Sequence, residues 1–210
     1  MLHYSPLEVT LQRDLRDLLE ELYQEKTLHP FRAGQPIPLQ DNQVWIVCRG
    51  VVQLNTFYAN GEEALLGLAS PSMPFGLPLT LIHPYQAIAL SDVDLMPLAI
   101  AEIEQSPVLS QSIFRQLNRR LRQTEALLAL AGHRRVEERL RQLLLLLQEE
   151  VGQPVPQGTR LGVRLTHQHL ASAIGTTRVT VTRLLGQFRQ DGWLTIDRSR
   201  HLVLTSKPVA

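Results

Sequence analysis

Residues 166–204 restrict the fold of this chain more than any other stretch. Two runs of helical spacing, 167–174 and 177–190, are separated by only Gly175 and Thr176. Thr166 is placed to cap the first run, because a threonine hydroxyl accepts from first-turn amides. A turn this short makes the two helices cross steeply. Ala171, Ile174, Val181 and Leu184 fall where small and apolar residues hold such a crossing together. After Gly192 come Trp193-Leu-Thr-Ile196, a polar turn over 197–200, and His201-Leu-Val-Leu204. That alternation predicts a β-hairpin, and the whole predicts a winged helix-turn-helix.

The second helix has the side chains that reading DNA requires. Thr176, Thr177, Arg178, Val179, Thr180, Thr182 and Arg183 crowd its N-terminal end. Arginine forms paired hydrogen bonds to guanine O6 and N7, and Val179 suits a thymine methyl. Threonine hydroxyls and helix-end amides suit phosphate oxygens, so Thr166 and His167 join the set, as do Arg198 and Arg200 on the wing.

The charge distribution agrees. Residues 107–210 hold 16 Lys and Arg against 7 Asp and Glu, a net of +9. Residues 1–106 hold 5 against 13, a net of −8, and the two halves return the chain's +1. A basic half joined to an acidic half predicts a polyanion-binding module fused to a different one. The apolar runs, such as 143–147, are too short to span a bilayer, and the N-terminus lacks the pattern of a secretory signal. The single cysteine, Cys48, rules out an internal disulfide and an iron–sulfur cluster. A cytoplasmic protein without membrane contact is expected.

Upstream, residues 6–26 carry Leu7, Leu11, Leu15, Leu18, Leu19 and Leu22 at helical spacing. Short β-like runs follow at 36–39, 44–48, 51–57, 64–69 and 87–90, with Asn60-Gly61 as the signal of a tight hairpin. They predict a small antiparallel roll. Ser106-Pro107 then opens a long helix. Phe114, Leu117, Leu121, Thr124, Leu128 and Ala131 follow the 3-4 spacing of a coiled-coil seam, whose natural partner is the same helix in a second copy. Gly132 ends it, a further helix is expected over 134–150, and 152–158 reads as a loop. The expected class is α+β, with a sensor roll over 1–106, a dimerisation helix over 107–132 and a DNA-binding unit over 133–210.

This order of parts resembles the Crp–Fnr family of bacterial regulators, whose rolls are of the cyclic-nucleotide-binding kind. The run Ile174-Gly-Thr-Thr-Arg-Val-Thr-Val-Thr-Arg-Leu-Leu-Gly186, Leu121-Arg-Gln-Thr-Glu125 and Pro74-Phe-Gly76 are similar to the nitrogen-regulating branch of that family. The resemblance implies inverted-repeat sites with GTA-and-TAC-like halves, read by Arg178, Val179 and Arg183, and contact with RNA polymerase. It further implies an effector site beside the long helix. Cyclic-AMP-binding members carry Gly-Glu after a Phe and an Arg-Ser or Arg-Thr pair. Here Leu77-Pro78 follows Phe75-Gly76, and Tyr85-Gln86 stands at the second place, so a cyclic phosphate lacks its cation. In the nitrogen branch the ligand is 2-oxoglutarate. Phe75, Gly76 and Leu77 match one part of that site and Arg120 and Glu125 another, while His83 replaces the roll's arginine. A small acid beside Arg120 is one expectation; a ligand-independent dimer, with Arg120 and Glu125 paired between helices, is the other.

An enzyme is not expected. Metal-dependent catalysis needs clustered histidines and carboxylates, whereas His29 and His83 are isolated in the roll. His167 and His169 diverge on one helix and read as solvent- or phosphate-contacting residues. No metal and no resident cofactor is expected.

Overall fold

The computed structural model describes residues 26–205. The leucine-striped helix expected over 6–26 lies outside them, apart from Lys26.

Residues 29–99 build the roll from seven strands in two antiparallel sheets. They are β1 (His29–Phe31), β2 (Gln43–Arg49), β3 (Val52–Phe57), β4 (Glu63–Ala69), β5 (Pro74–Phe75), β6 (Gln86–Ala89) and β7 (Val93–Ala99). One sheet runs β1-β7-β2-β5 and the other β4-β3-β6. Their facing sides bury Trp45, Val47, Val52, Leu54, Phe75, Ala87 and Leu95. The unbroken apolar run of β2 has a reason. Val44 and Ile46 point the other way, into a second cluster with Met96, Leu98 and Leu109, so both faces of the strand are covered. Cys48 packs at the margin of that cluster.

Three local expectations are corrected. Residues 36–39 form no strand; Pro36 makes one isolated bridge to Ile88. The β3–β4 connection is not a two-residue turn: the Tyr58 amide donates to the Glu62 carbonyl across a longer loop in which Gly61 alone takes positive φ. Residues 152–158 are not a loop either. They form a hairpin, β8 (Gly152–Val155) with β9 (Gly158–Leu161).

Helix α1 (Ile100–Gln105) leads into α2 (Pro107–Ala131), where the Ser106 hydroxyl accepts from the Leu109 amide and Pro107 occupies the first turn. Helix α3 (Val136–Val151) follows, starting two residues later than expected. The remaining elements are α4 (His167–Ile174), α5 (Arg178–Gln190), β10 (Leu194–Ile196) and β11 (Leu202–Thr205). The C-terminal sheet is ordered β10-β11-β9-β8. Leu140, Leu143, Leu144 and Leu147 of α3 share one core with Leu170, Ile174, Val181, Leu185 and Phe188, and with Val51 and Leu68 of the roll. The C-terminal unit is therefore seated against the roll.

Candidate nucleic-acid interface

Helix α4 starts as expected: the Thr166 hydroxyl accepts from the His169 amide at 3.1 Å. It stops at Gly175, whose left-handed backbone (φ 61°, ψ 56°) reverses the chain without the steric cost a side chain would bring. The Thr176 amide donates back to the Ala171 carbonyl at 3.0 Å. Thr177 is the cap of α5 rather than its first residue, accepting from the Thr180 amide at 3.2 Å. Ala171, Ile174, Val181 and Leu184 are all buried at the crossing, as the spacing requires.

With Val181, Leu184, Leu185 and Phe188 turned inward, the opposite face of α5 is presented to solvent. At about 100° per residue that face carries Val179, Thr182, Arg183 and Gln187, and Arg178 is exposed at the helix's N-terminal end. Val179 is 79% exposed. The face is held rigidly. Phe188 packs edge-on to Trp193 with ring centroids 5.0 Å apart, and the Arg141 guanidinium covers both rings at 4.7 and 4.5 Å.

The threonines divide into two groups. Thr166 and Thr177 spend their hydroxyls on caps, and Thr180 shares the Thr177 hydroxyl at 2.9 Å. The Thr182 hydroxyl donates to the Arg178 carbonyl and lies 2.7 Å from His167 Nδ1, tying α4 to α5. These residues shape the N-terminal end of α5, where Arg178, Val179 and Arg183 are exposed. Gln187 was missed by sequence reasoning; its one-turn spacing from Arg183 was the available signal. His169 is corrected. It is half buried, facing away from the exposed side of α5, and lines the seam between α4 and the roll with Leu65 and Leu68. That burial holds its pKa below the ordinary value, partly offset by Glu63.

The wing expected from residues 193–204 is present as β10 and β11, and its turn exposes Arg198 and Arg200. Neither the hairpin β8–β9 beneath it nor the buried His201 was expected to support it.

The family model of the Crp-like helix-turn-helix domain matches residues 138–208. Over 203 residues the chain is 34% identical to the global nitrogen regulator of Synechocystis sp., spanning 92% of this chain and 86% of that protein. The chain belongs to the Crp–Fnr family of transcription regulators. It is also 36% identical over 159 residues to the regulatory protein CysR of Synechococcus elongatus, covering 74% of this chain and 73% of that one. In fold it is similar to a CRP-family transcriptional regulator from Thermus thermophilus, with a TM-score of 0.72 at 20% identity over 85% of this chain and 92% of that one. The winged helix-turn-helix is thus the DNA-binding part of a Crp–Fnr regulator. Among the described residues no helix is long and apolar enough to cross a membrane.

The roll side of this Crp–Fnr chain is arranged as follows. Phe75 is fully buried, and Gly76 and Leu77 lead into a short 3-10 turn. A side chain at Gly76 would meet the Gln43 carbonyl at 3.0 Å, so the backbone passes too close for anything larger. Arg120 reaches across from α2 and donates to the Pro74 carbonyl at 3.3 Å. Tyr85 is buried beside it; burial pushes its phenol pKa up and the Arg120 charge partly offsets this. His83 is exposed. Glu125 is exposed and lies about 140° round α2 from Arg120, so one chain does not bring the two together.

Proposed function

We propose that this regulator acts as a homodimer whose two α5 helices read an inverted repeat in successive major grooves, about 34 Å apart. The observation that carries this is the exposed set of Arg178 at the N-terminal end and Val179, Arg183 and Gln187 on the solvent face of a helix fixed from behind by an apolar core. Phe114, Leu121 and Leu128 are 64%, 56% and 75% exposed in the isolated chain, and Thr124 and Ala131 beside them are also exposed. A second copy of α2 would cover that stripe; Leu117, half buried, lies at its edge. Such a regulator works in the cytoplasm with RNA polymerase as its further partner. The likeness to global nitrogen regulators supports genes of nitrogen metabolism as targets.

For the effector, Arg120 is the cation that the described residues bring to the roll site, and Tyr85 adds a buried phenol. This set suits a carboxylate, since guanidinium binds carboxylate bidentately, and the proposed class is a small acid such as 2-oxoglutarate. One observation favours the ligand-independent alternative: Arg120 already has a partner in the Pro74 carbonyl.

Binding-site selection on random duplexes tests the DNA reading. The enriched motif is expected to be a palindrome with GTA-and-TAC-like halves. Arg178→Ala is expected to cost about 1–3 kcal/mol per half-site and to relax the preference at one guanine. An enriched motif without symmetry, or one that Arg178→Ala leaves unchanged, overturns the assignment of α5.

A further inference from the structure

The wing tip is built around an acid. Asp197 directly follows β10, and its carboxylate Oδ1 accepts from the His201 amide at 2.8 Å. That bond, helped by the nearby Ser199 amide, holds the Asp197 carboxyl below the usual carboxylate range. Its own amide donates to the His201 carbonyl at 3.0 Å, and its carbonyl accepts from the Arg200 amide at 3.0 Å. Behind it, Arg160 Nε of β9 lies 3.3 Å and His201 Nδ1 3.5 Å from Oδ2. The Arg160 guanidinium also reaches His201 Nε2 at 3.3 Å. An imidazole that accepts from Arg160 through Nε2 is neutral and points its Nδ1–H toward Asp197. The depressed His201 pKa, caused by burial and by the Arg160 charge, agrees with a neutral ring.

The consequence lies within the same turn. Arg198 and Arg200 are its exposed cations, and Arg200 has φ 64°, the left-handed conformation that non-glycine residues avoid. Something must hold it there, and within the turn that is the set of backbone bonds converging on Asp197. Free of that clamp, the turn would relax and the two guanidinium groups would lose their common direction. An acid on an otherwise basic DNA-facing edge repels phosphate, so its presence calls for such a role.

We propose that Asp197 is the positioning residue of the wing, fixing Arg198 and Arg200 against the phosphate backbone, so that an acid strengthens DNA binding. This rests on the winged-helix reading above. The expected sign is opposite to that of simple electrostatics, in which removal of a negative charge tightens binding.

The test is fluorescence anisotropy of the full chain on a duplex carrying the selected repeat and on an unrelated duplex, over a salt series. Arg198→Ala and Arg200→Ala are each expected to lower the salt slope by about 0.9 per half-site for the phosphate no longer neutralised, which is roughly eightfold in affinity per half-site at 0.1 M salt. Asp197→Ala should weaken both duplexes alike and lower the slope in the same way. Asp197→Asn keeps an oxygen for the His201 amide and should bind at least as well as wild type. Asp197→Glu keeps the charge but moves the carboxylate away from the turn. It should show the alanine loss, which separates position from charge even if the alanine variant folds poorly. Wild-type or tighter binding by Asp197→Ala and Asp197→Glu, with both arginine variants weakened, overturns the positioning role alone. Unchanged binding by both arginine variants overturns the wing reading with it.

Discussion

Leu128→Ala is the sharpest probe of assembly. In the isolated chain this leucine is 75% exposed on α2, where no described element covers it. Full burial of a leucine side chain is worth about 2 kcal/mol, so covering three-quarters of it yields about 1.5 kcal/mol per protomer and about 3 kcal/mol per dimer. Because alanine retains the β-carbon, the dissociation constant is expected to rise roughly hundredfold. Val108 is the control. It is 52% exposed on the same helix but lies about 160° round from Leu128, so Val108→Ala should leave the constant unchanged. Sedimentation equilibrium over a concentration series reads both values. A wild-type chain that is monomeric at micromolar concentration, or equal shifts from the two variants, refutes the seam. Most of the inverted-repeat argument would fall with it.

Two further expectations concern the ligand and pH. Calorimetry with 2-oxoglutarate should give heat with the wild type and none with Arg120→Ala, whose dimer stays intact; no wild-type heat up to millimolar acid or cyclic AMP leaves the ligand-independent dimer. His169 is held below the ordinary histidine value of about 6.5, so the unfolded chain takes up its proton first. Its stabilising contribution is complete above that value and is lost as pH falls below it. The melting temperature of wild type should therefore drop more steeply between about pH 6.5 and pH 5 than that of His169→Gln, and parallel curves would contradict this burial.

The helix-turn-helix was legible because its constraints are local. Thr166, Gly175 and Thr177 each set the backbone within a few residues, and the apolar spacing fixed which side turns inward. Strands completed by distant partners were not. The β8–β9 hairpin carries Pro154 and Pro156 and reads as a loop; its place comes from β11, where Val203 pairs with Arg160. In β7, Pro97 argues against a strand, yet it lies in the middle of the sheet opposite Trp45. At the candidate effector site Arg120 meets a carbonyl 46 residues away, a contact decided by how α2 seats on the roll. Residue identities alone could name Arg120 but not show that it is already bonded.

That seating links the two halves of the molecule through one strand. The Leu68 amide of β4 donates to Gln123 Oε1 of α2 at 2.7 Å, and a side chain at Gly67 would collide with the same oxygen. Leu68 and Leu65 also pack against the core of the DNA-binding unit, beside Leu165, His169 and Leu170. Gln123 is itself buried, so sliding α2 along the roll would leave its amide oxygen and the Leu68 amide unpaired, at about 1–3 kcal/mol each. Such a joint resists small displacements and favours discrete ones. Arg120 is one turn from Gln123 on the same side of α2. Arg120 and Gln123 thus place the candidate roll site and the joint to β4, and through β4 the seat of α4, along one side of a single helix.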